Sequence, residues 1–338
     1  MKYIRRLQFT GRSTFIVSLP KRWVLRNKLE PGEQVVLEER DSALLIKPMK
    51  TSSESKENPA FIEINQYTSP DGVTRLIIAS YLMGYDEIIV FSKDMISPII
   101  RNSIRRVILE KLPGTEIIYE DHSKIEIKVL LGFRGISIIE TFKRLSKVVE
   151  SILEDTCNAI LKRDIDVANE VVKEDDSVDR VYFYLVRLLG QIAAGTIESD
   201  SVGTIDLLIY RSASKLLERV GDHAVNISQN MKDLINRGEV LEEAGKLCME
   251  TLDIYRESAS SFVNDDPHSI EKISRRIHGF KIREEEVFSK FIQKLDPRET
   301  ASLRIILESI RRIAEYSGDL AELALNRGLG KILSSLKQ

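Results

Sequence analysis

At 338 residues the chain is long for one domain, and 43% apolar against 30% charged residues suits a soluble, helix-rich protein with two or three cores. No apolar run approaches the roughly 18 residues of a membrane span, and the opening Met1-Lys2-Tyr3-Ile4-Arg5-Arg6 has no apolar leader, so a cytoplasmic protein is expected. The net charge of -2 hides an asymmetry: residues 1–50 carry 11 Lys/Arg against 5 Asp/Glu, and the remainder 39 against 47.

Residues 1–50 read as short strands around one short helix. Ile4, Leu7 and Phe9, then Phe15, Val17 and Leu19, form β segments about a Gly11-Arg12-Ser13 turn. Pro20 opens a helix from Lys21 to Asn27, Leu29-Glu30-Pro31-Gly32 breaks it, and Glu33 to Glu39 pairs with Ala43 to Lys47 across Arg40-Asp41-Ser42. So few core positions predict a core shared with a second copy. Lys2, Arg5, Arg6, Arg12, Lys21, Arg22, Arg26 and Lys28 stand in the first 28 residues without an acid, a patch that favours a polyanion. A solvated basic edge on a dimerisation module is the plainer alternative.

The run Gly11-Arg12-Ser13-Thr14-Phe15-Ile16-Val17-Ser18-Leu19-Pro20-Lys21, with Leu29-Glu30-Pro31-Gly32-Glu33 and a hairpin closing on Ile46-Lys47-Pro48, resembles the SpoVT/AbrB swapped-hairpin domain. The resemblance implies an intertwined homodimer whose basic side chains grip DNA. Carried over by position, the DNA-binding candidates are Arg5, Arg6, Arg12, Lys21, Arg22 and Arg26.

Residues 51–59 are polar and aperiodic, a linker. Residues 60–135 alternate in period: a strand at Phe61 to Ile64, a helix from Asp71 to Leu82 ended by Gly84, a buried strand at Glu87 to Phe91 and a helix from Met95 to Glu110. Glu116 to Tyr119 then pairs with Lys124 to Val129, completing a small α/β layer domain. Gly132-Phe133-Arg134-Gly135 imitates the GxxG loop of KH domains but leaves a strand instead of joining helices. His122 reads as a solvated turn residue, and no functional constellation is expected in this domain.

Residues 136–338 are helical throughout, in two sets of three, with repeats at about 138–237 and 239–330. The expected helices run from Ile139 to Lys162, Asp164 to Glu198, Thr204 to Asn236 (ended by Gly238) and Leu241 to Val263. Two more start at Asp266-Pro267 and at the capping box Asp296-Pro297-Arg298-Glu299. Cys157 and Cys248 lie far apart and without partners at metal-ligand spacing, so they are read as small core residues, with neither a disulfide framework nor a zinc module expected.

The third and sixth helices repeat one motif at an offset of 97 residues: Glu218 falls on Glu315, Gly221 on Gly318, Asp222 on Asp319 and Ala224 on Ala321. Each copy puts two carboxylates one turn apart on the same face, where like charges repel, beside a glycine that costs a helix interior roughly 1 kcal/mol against alanine. The second helix adds Asp175 and Asp179, again four apart. Side-by-side packing of the second and third helices brings four carboxylates to one groove, a set suited to Mg, Mn, iron or zinc; a solvated acidic face is the competing reading.

Glu218-Arg219-Val220-Gly221-Asp222-His223-Ala224-Val225-Asn226-Ile227 resembles the signature of the PhoU family of phosphate-signalling proteins. The resemblance implies tandem three-helix bundles, so that the fold class is multidomain: a small swapped-hairpin β domain, a central α/β domain and an all-α PhoU-like half. It also implies metal ions, iron or zinc foremost, held by Asp175/Asp179, Glu218/Asp222 and Glu315/Asp319. The fifth helix, with His278 and then Arg283-Glu284-Glu285-Glu286, lacks a matching acid pair, leaving a second site empty or completed by Glu284 or Glu285. His223 and Asn226 are candidates for supporting donors or for packing.

The expected function is a phosphate uptake regulator, a DNA-binding transcription regulator whose metal-binding helical half senses phosphate status through protein partners. The alternative is a regulator of a phosphate ABC transporter or sensor kinase without specific DNA binding, peripheral at any membrane. A metal-dependent phosphoesterase is the enzymatic alternative, but no nucleophile stands beside a base and only four histidines occur, so no catalytic residue is assigned.

Overall fold

The computed structural model describes residues 2–11, 13–40, 43–49, 59–132, 136–197 and 202–335. Arg12, the Asp41-Ser42 turn, residues 51–58 of the linker, residues 133–135 of the GxxG-like run and the expected helix end at Glu198 lie outside them. The chain divides into two units, residues 1–58 and 59–338.

In the first unit β1 (Gln8–Thr10) pairs antiparallel with β2 (Thr14–Ile16), and Gly11 takes the φ of 64° that the tight turn requires. Pro20 is the extended cap of α1 (Lys21–Arg26), its carbonyl accepting from Trp23 and Val24, so it precedes the first turn instead of lying within it. A hairpin of β3 (Val35–Arg40) and β4 (Ala43–Pro48) follows. None of the described residues of this unit is buried: Ile4 is 93% exposed, Leu7 72% and Phe15 67%.

The second unit begins with a layer of β5 (Pro59–Ile64), α2 (Pro70–Leu82), β6 (Glu87–Ser92), α3 (Pro98–Glu110), β7 (Thr115–Glu120) and β8 (Lys124–Val129). The sheet order is β5-β6-β8-β7, with β5 and β6 parallel across α2 and the other pairs antiparallel. Ser69 and Ser97 cap the two helices, each followed by a first-turn proline. Their apolar stripes, Val73, Ile77 and Tyr81 on α2 and Ile100, Ile104 and Val107 on α3, close over Ile62, Ile88, Val90, Ile125 and Ile127.

The rest is helical: α4 (Ile138–Lys162), α5 (Ile165–Ala193), α6 (Thr204–Asn230), α7 (Gly238–Asn264), α8 (Ile270–Phe291) and α9 (Pro297–Ser335). The halves α4–α6 and α7–α9 meet through α4, α6, α7 and α9, with α5 and α8 flanking. Asp266 accepts from the His268 amide, and Asp296 and Glu299 exchange backbone bonds of 2.8 and 3.0 Å, completing the expected capping box. Gly238 does not end the third helix; it is the first residue of α7. The chain leaves α6 earlier, through a 3-10 turn at Met231–Leu234 whose Met231 and Leu234 are wholly buried. Among the described residues no helix is long and apolar enough to cross a membrane.

The cysteines require a correction. Cys157 of α4 and Cys248 of α7 form a disulfide, their Cα atoms 5.4 Å apart and both side chains fully buried. They are core residues, but paired ones, because packing of α4 against α7 brings together positions 91 residues apart.

A wholly buried arginine helps to join the α/β layer to the helices, beside Leu82, Leu131 and Phe183, which pack against both cores. Arg187 of α5 donates to the Tyr85 carbonyl at 2.9 Å and to Asp86 at 2.7 Å, also bonds the Tyr81 carbonyl, and lies over the Tyr81 ring at 4.8 Å. Nearby, Arg180 donates to the Leu109 carbonyl at 2.6 Å.

Cys157→Ala/Cys248→Ala is expected to lower the melting temperature by several degrees in oxidising buffer, since cross-linking residues 91 apart is worth about 4.6 kcal/mol in chain entropy. Calorimetry with and without reductant checks this: reductant should bring the wild type down towards the variant and leave the variant unchanged.

Candidate functional site

The acid run of the second helix falls in the middle of α5, where its spacing places Asp175, Asp176 and Asp179 on one side. One carboxylate oxygen from each lies within 4.8 Å of the other two, and all three are half-buried. Asp176 stands three residues before Asp179 in the sequence, and a search for acids four apart passes it over. Across this cluster stands Lys111, the residue that caps the C-terminus of α3, its Nζ 2.7 Å from Asp179 and 3.1 Å from Asp176. Burial opposes its charge, but the bonds and charges of Asp179 and Asp176 outweigh burial and raise its pKa above the ordinary lysine value.

On α6 Glu218 and Asp222 turn towards the same groove. Glu218 is paired with Lys215, three residues earlier on the same helix. The Asp222 carboxyl is pushed up to about 7, first by loss of hydration and then by the charges of Glu218, Asp175 and Asp179. Asp222 is exposed by surface area, so the charges of the neighbouring carboxylates carry more of this rise than loss of hydration does. Asp175 is raised as well, by burial and then by Asp179. Gly221 explains how the helices come so near: a Cβ there would stand 3.3 Å from Val178 Cγ1 of α5.

Gly318 does the same in the second half, where a Cβ would stand 2.7 Å from Ile277 Cδ1 of α8. Val178 and Ile277 are therefore equivalent, and the positions matching Asp175 and Asp179 are Ser274 and His278. These two, with Glu315, Gly318 and Asp319, line a pocket of about 280 Å³ between α8 and α9. Glu315 is tied to Arg311 and Arg312, the latter at 3.1 Å. Asp319 is raised by burial, then by Glu322 and Glu315. Glu284 and Glu285 do not line this pocket: Glu284 is buried against Arg311 at 2.8 Å, and Glu285, two turns along α8 from His278, pairs with Arg304 at 3.4 Å. His223 packs against Tyr316 of α9, ring centroids 5.7 Å apart, and its pKa is lowered by burial and then by Arg312.

In the first unit Lys21, Arg22 and Arg26 are exposed on α1, and Arg5 and Arg6 are exposed in the segment before β1. Arg5 lies over the Tyr3 ring at 5.8 Å. Arg12, the remaining candidate, lies outside the described residues.

The oxygen-only donors on α5 fit a hard divalent cation, and the Lys111 ammonium already stands in for one on two of them. What the arrangement does is gather three carboxylates on α5 close enough together to share one cation.

Comparisons with known proteins bear on both units. Residues 142–231 match the PhoU domain family, and residues 8–54 match the family described as antidote-toxin recognition MazE, bacterial antitoxin. The phosphate-specific transport system accessory protein PhoU homolog of Clostridium acetobutylicum is 30% identical over 114 residues, 34% of this chain and 50% of that protein. The chain thus spans about half the length of the curated relative it matches. The phosphate transport system regulatory protein PhoU from Streptococcus pneumoniae is similar in structure over 57% of this chain and 94% of its own, at 17% identity and a TM-score of 0.50. PhoU from Pseudomonas aeruginosa is similar over 57% and 96%, at 18% identity and a TM-score of 0.47. The helical half has the PhoU bundle fold.

A pH effect follows from Asp222. The folded carboxyl takes its proton near pH 7 and the unfolded one near 3.8, so the folded state holds the extra proton between these values and stability falls as pH rises through them. Asp222→Asn removes that loss. With chelator present, its melting temperature is expected to exceed that of the wild type by a few degrees at pH 8 and to match it at pH 4.

Proposed function

We propose, on the premise that residues 142–231 form a PhoU domain, that this chain is a phosphate uptake regulator acting in the cytoplasm, regulatory and not catalytic. The observation that carries the reading is the union on one chain of a basic N-terminal unit with no buried side chain among the residues described and a PhoU-fold helical unit with a clustered acid site. The name of the clostridial relative supports the link to phosphate transport. The N-terminal unit acts as a homodimer, since a second copy is what can cover Ile4, Leu7 and Phe15. Dimerisation pairs two sets of Arg5, Arg6, Arg12, Lys21, Arg22 and Arg26 that bind DNA phosphates.

The helical unit holds metal with Asp175, Asp176 and Asp179, and Glu218 and Asp222 add their charge from α6. A divalent ion bound there supplies the positive charge that lets these acids ionise together. The oxygen-only set favours Mn or Mg, whereas the imidazole of His278 suits the pocket of Glu315 and Asp319 to zinc or iron. Phosphate status reaches this unit through a protein partner, a transporter component or sensor kinase.

The test is a titration of full-length protein with duplex DNA from upstream of phosphate-transport genes, at two salt concentrations. Tight, salt-sensitive binding is expected. Lys21→Ala/Arg26→Ala should weaken it and flatten the salt slope by about 1 for each phosphate that is no longer neutralised. Binding no tighter than to unrelated DNA, or unchanged in the variant, overturns the transcriptional reading and leaves regulation through the protein partner.

A further inference from the structure

The acid triad on α5 is met by a cation belonging to the chain itself. Lys111 stands at the end of α3, 2.7 Å from Asp179 and 3.1 Å from Asp176, and the next residue of α5, Arg180, binds the Leu109 carbonyl. Further along the same helix Arg187 holds the corner between α2 and β6 through Tyr81, Tyr85 and Asp86. These two attachments differ in kind. The Arg187 side chain is fully buried, whereas that of Lys111 keeps 29% of its surface in solvent. Asp179 and Arg187 are eight residues apart, roughly 12 Å along the helix. The α/β layer is therefore fixed to α5 at one end and latched to it at the other.

A divalent ion takes carboxylate oxygens at about 2.0 to 2.6 Å, within the space that the ammonium now uses. Two cations on the same pair of carboxylates repel each other, so ion and lysine compete. We propose that Lys111 is a built-in competitor for metal on Asp176 and Asp179, and that metal binding frees the last turn of α3 beyond Leu109, which Arg180 still holds, while Arg187 keeps the α2 end in place. Metal occupancy of the bundle is thereby converted into a change at the α3–β7 corner. This rests on the reading of the triad as a metal site.

The structure supplies reporters for both ends. The amides of Lys111 and Leu112 are bonded to the Val107 carbonyl, and those of Gly84 and Tyr85 to the carbonyls of Tyr81 and Ser80. The experiment titrates full-length wild type, Lys111→Arg and Lys111→Met with Mn(II) by calorimetry and follows amide exchange in the same samples. Lys111→Met is expected to bind about tenfold tighter than wild type, and Lys111→Arg to bind like wild type. Mn(II) should speed exchange at Lys111 and Leu112 of the wild type and leave Gly84 and Tyr85 unchanged. Equal affinity in wild type and Lys111→Met overturns the competition while leaving the metal reading intact. No binding in either overturns both, and unchanged exchange at Lys111 and Leu112 in Mn-loaded wild type overturns the unlatching. Lys111→Gln provides the same comparison if Lys111→Met melts too low to titrate.

Discussion

A Cβ on Gly221 would stand 3.3 Å from Val178, and the tight seam that this distance measures between α5 and α6 is the constraint on which the charged site depends. Glycine forfeits roughly 1 kcal/mol of helix propensity at an interior position. What it gains is the approach of two helices until acids on one raise the pKa of acids on the other. A larger side chain at 221 would force the helices apart, loosening the core around Val178 and weakening the electrostatic coupling together. The seam recurs at Gly318 and Ile277, but the acids of α5 do not: Ser274 and His278 occupy their places on α8. Helix approach is thus common to both halves, and donor chemistry is what distinguishes them.

Repulsion among these acids is offset locally in each copy. Lys215 serves Glu218, and Arg312, at the corresponding position 97 residues on, serves Glu315. Such intrahelical pairs are worth only a few tenths of a kcal/mol where exposed, too little to neutralise a cluster of five carboxylates. Lys111 is different because it arrives from another layer of the fold and meets two acids at once in a half-buried setting. Removing it leaves an acid excess on α5 that only protons or a metal can relieve. On the proposed reading, the docking of the last turn of α3 and the charge state of the bundle are one equilibrium.

Much of this was legible in the sequence. The first helical start, the two Asp-Pro caps and the capping box at Asp296 follow from local rules, and α4 begins within one residue of expectation. The acids four apart on α5 and α6 were legible for the same reason. What was not legible depends on tertiary docking. Lys111 meets partners more than 60 residues away, and Cys157 and Cys248 meet only because α4 packs on α7. Arg187 interrupts a stripe of buried leucines and would ordinarily face water, but here that face is covered by α2. Gly238 looked like a helix stop because its local signal is strong, yet burial of Met231 and Leu234 had already turned the chain.

The N-terminal unit argues by what it leaves uncovered. Its strands expose Phe9 and Phe15, packed edge to face at 5.1 Å, and its helix exposes Leu25 beside Arg26. Burying a large apolar side chain contributes about 1.5 to 3 kcal/mol, so covering several of them in a dimer offsets the entropy of association. The same association, on the proposed reading, brings two basic edges together, each weak alone at physiological salt. On the proposed reading, DNA affinity then varies steeply with whatever alters the dimer, its population or the spacing of its two basic edges. A helical unit that changes with its metal can regulate DNA binding in this way without touching a base.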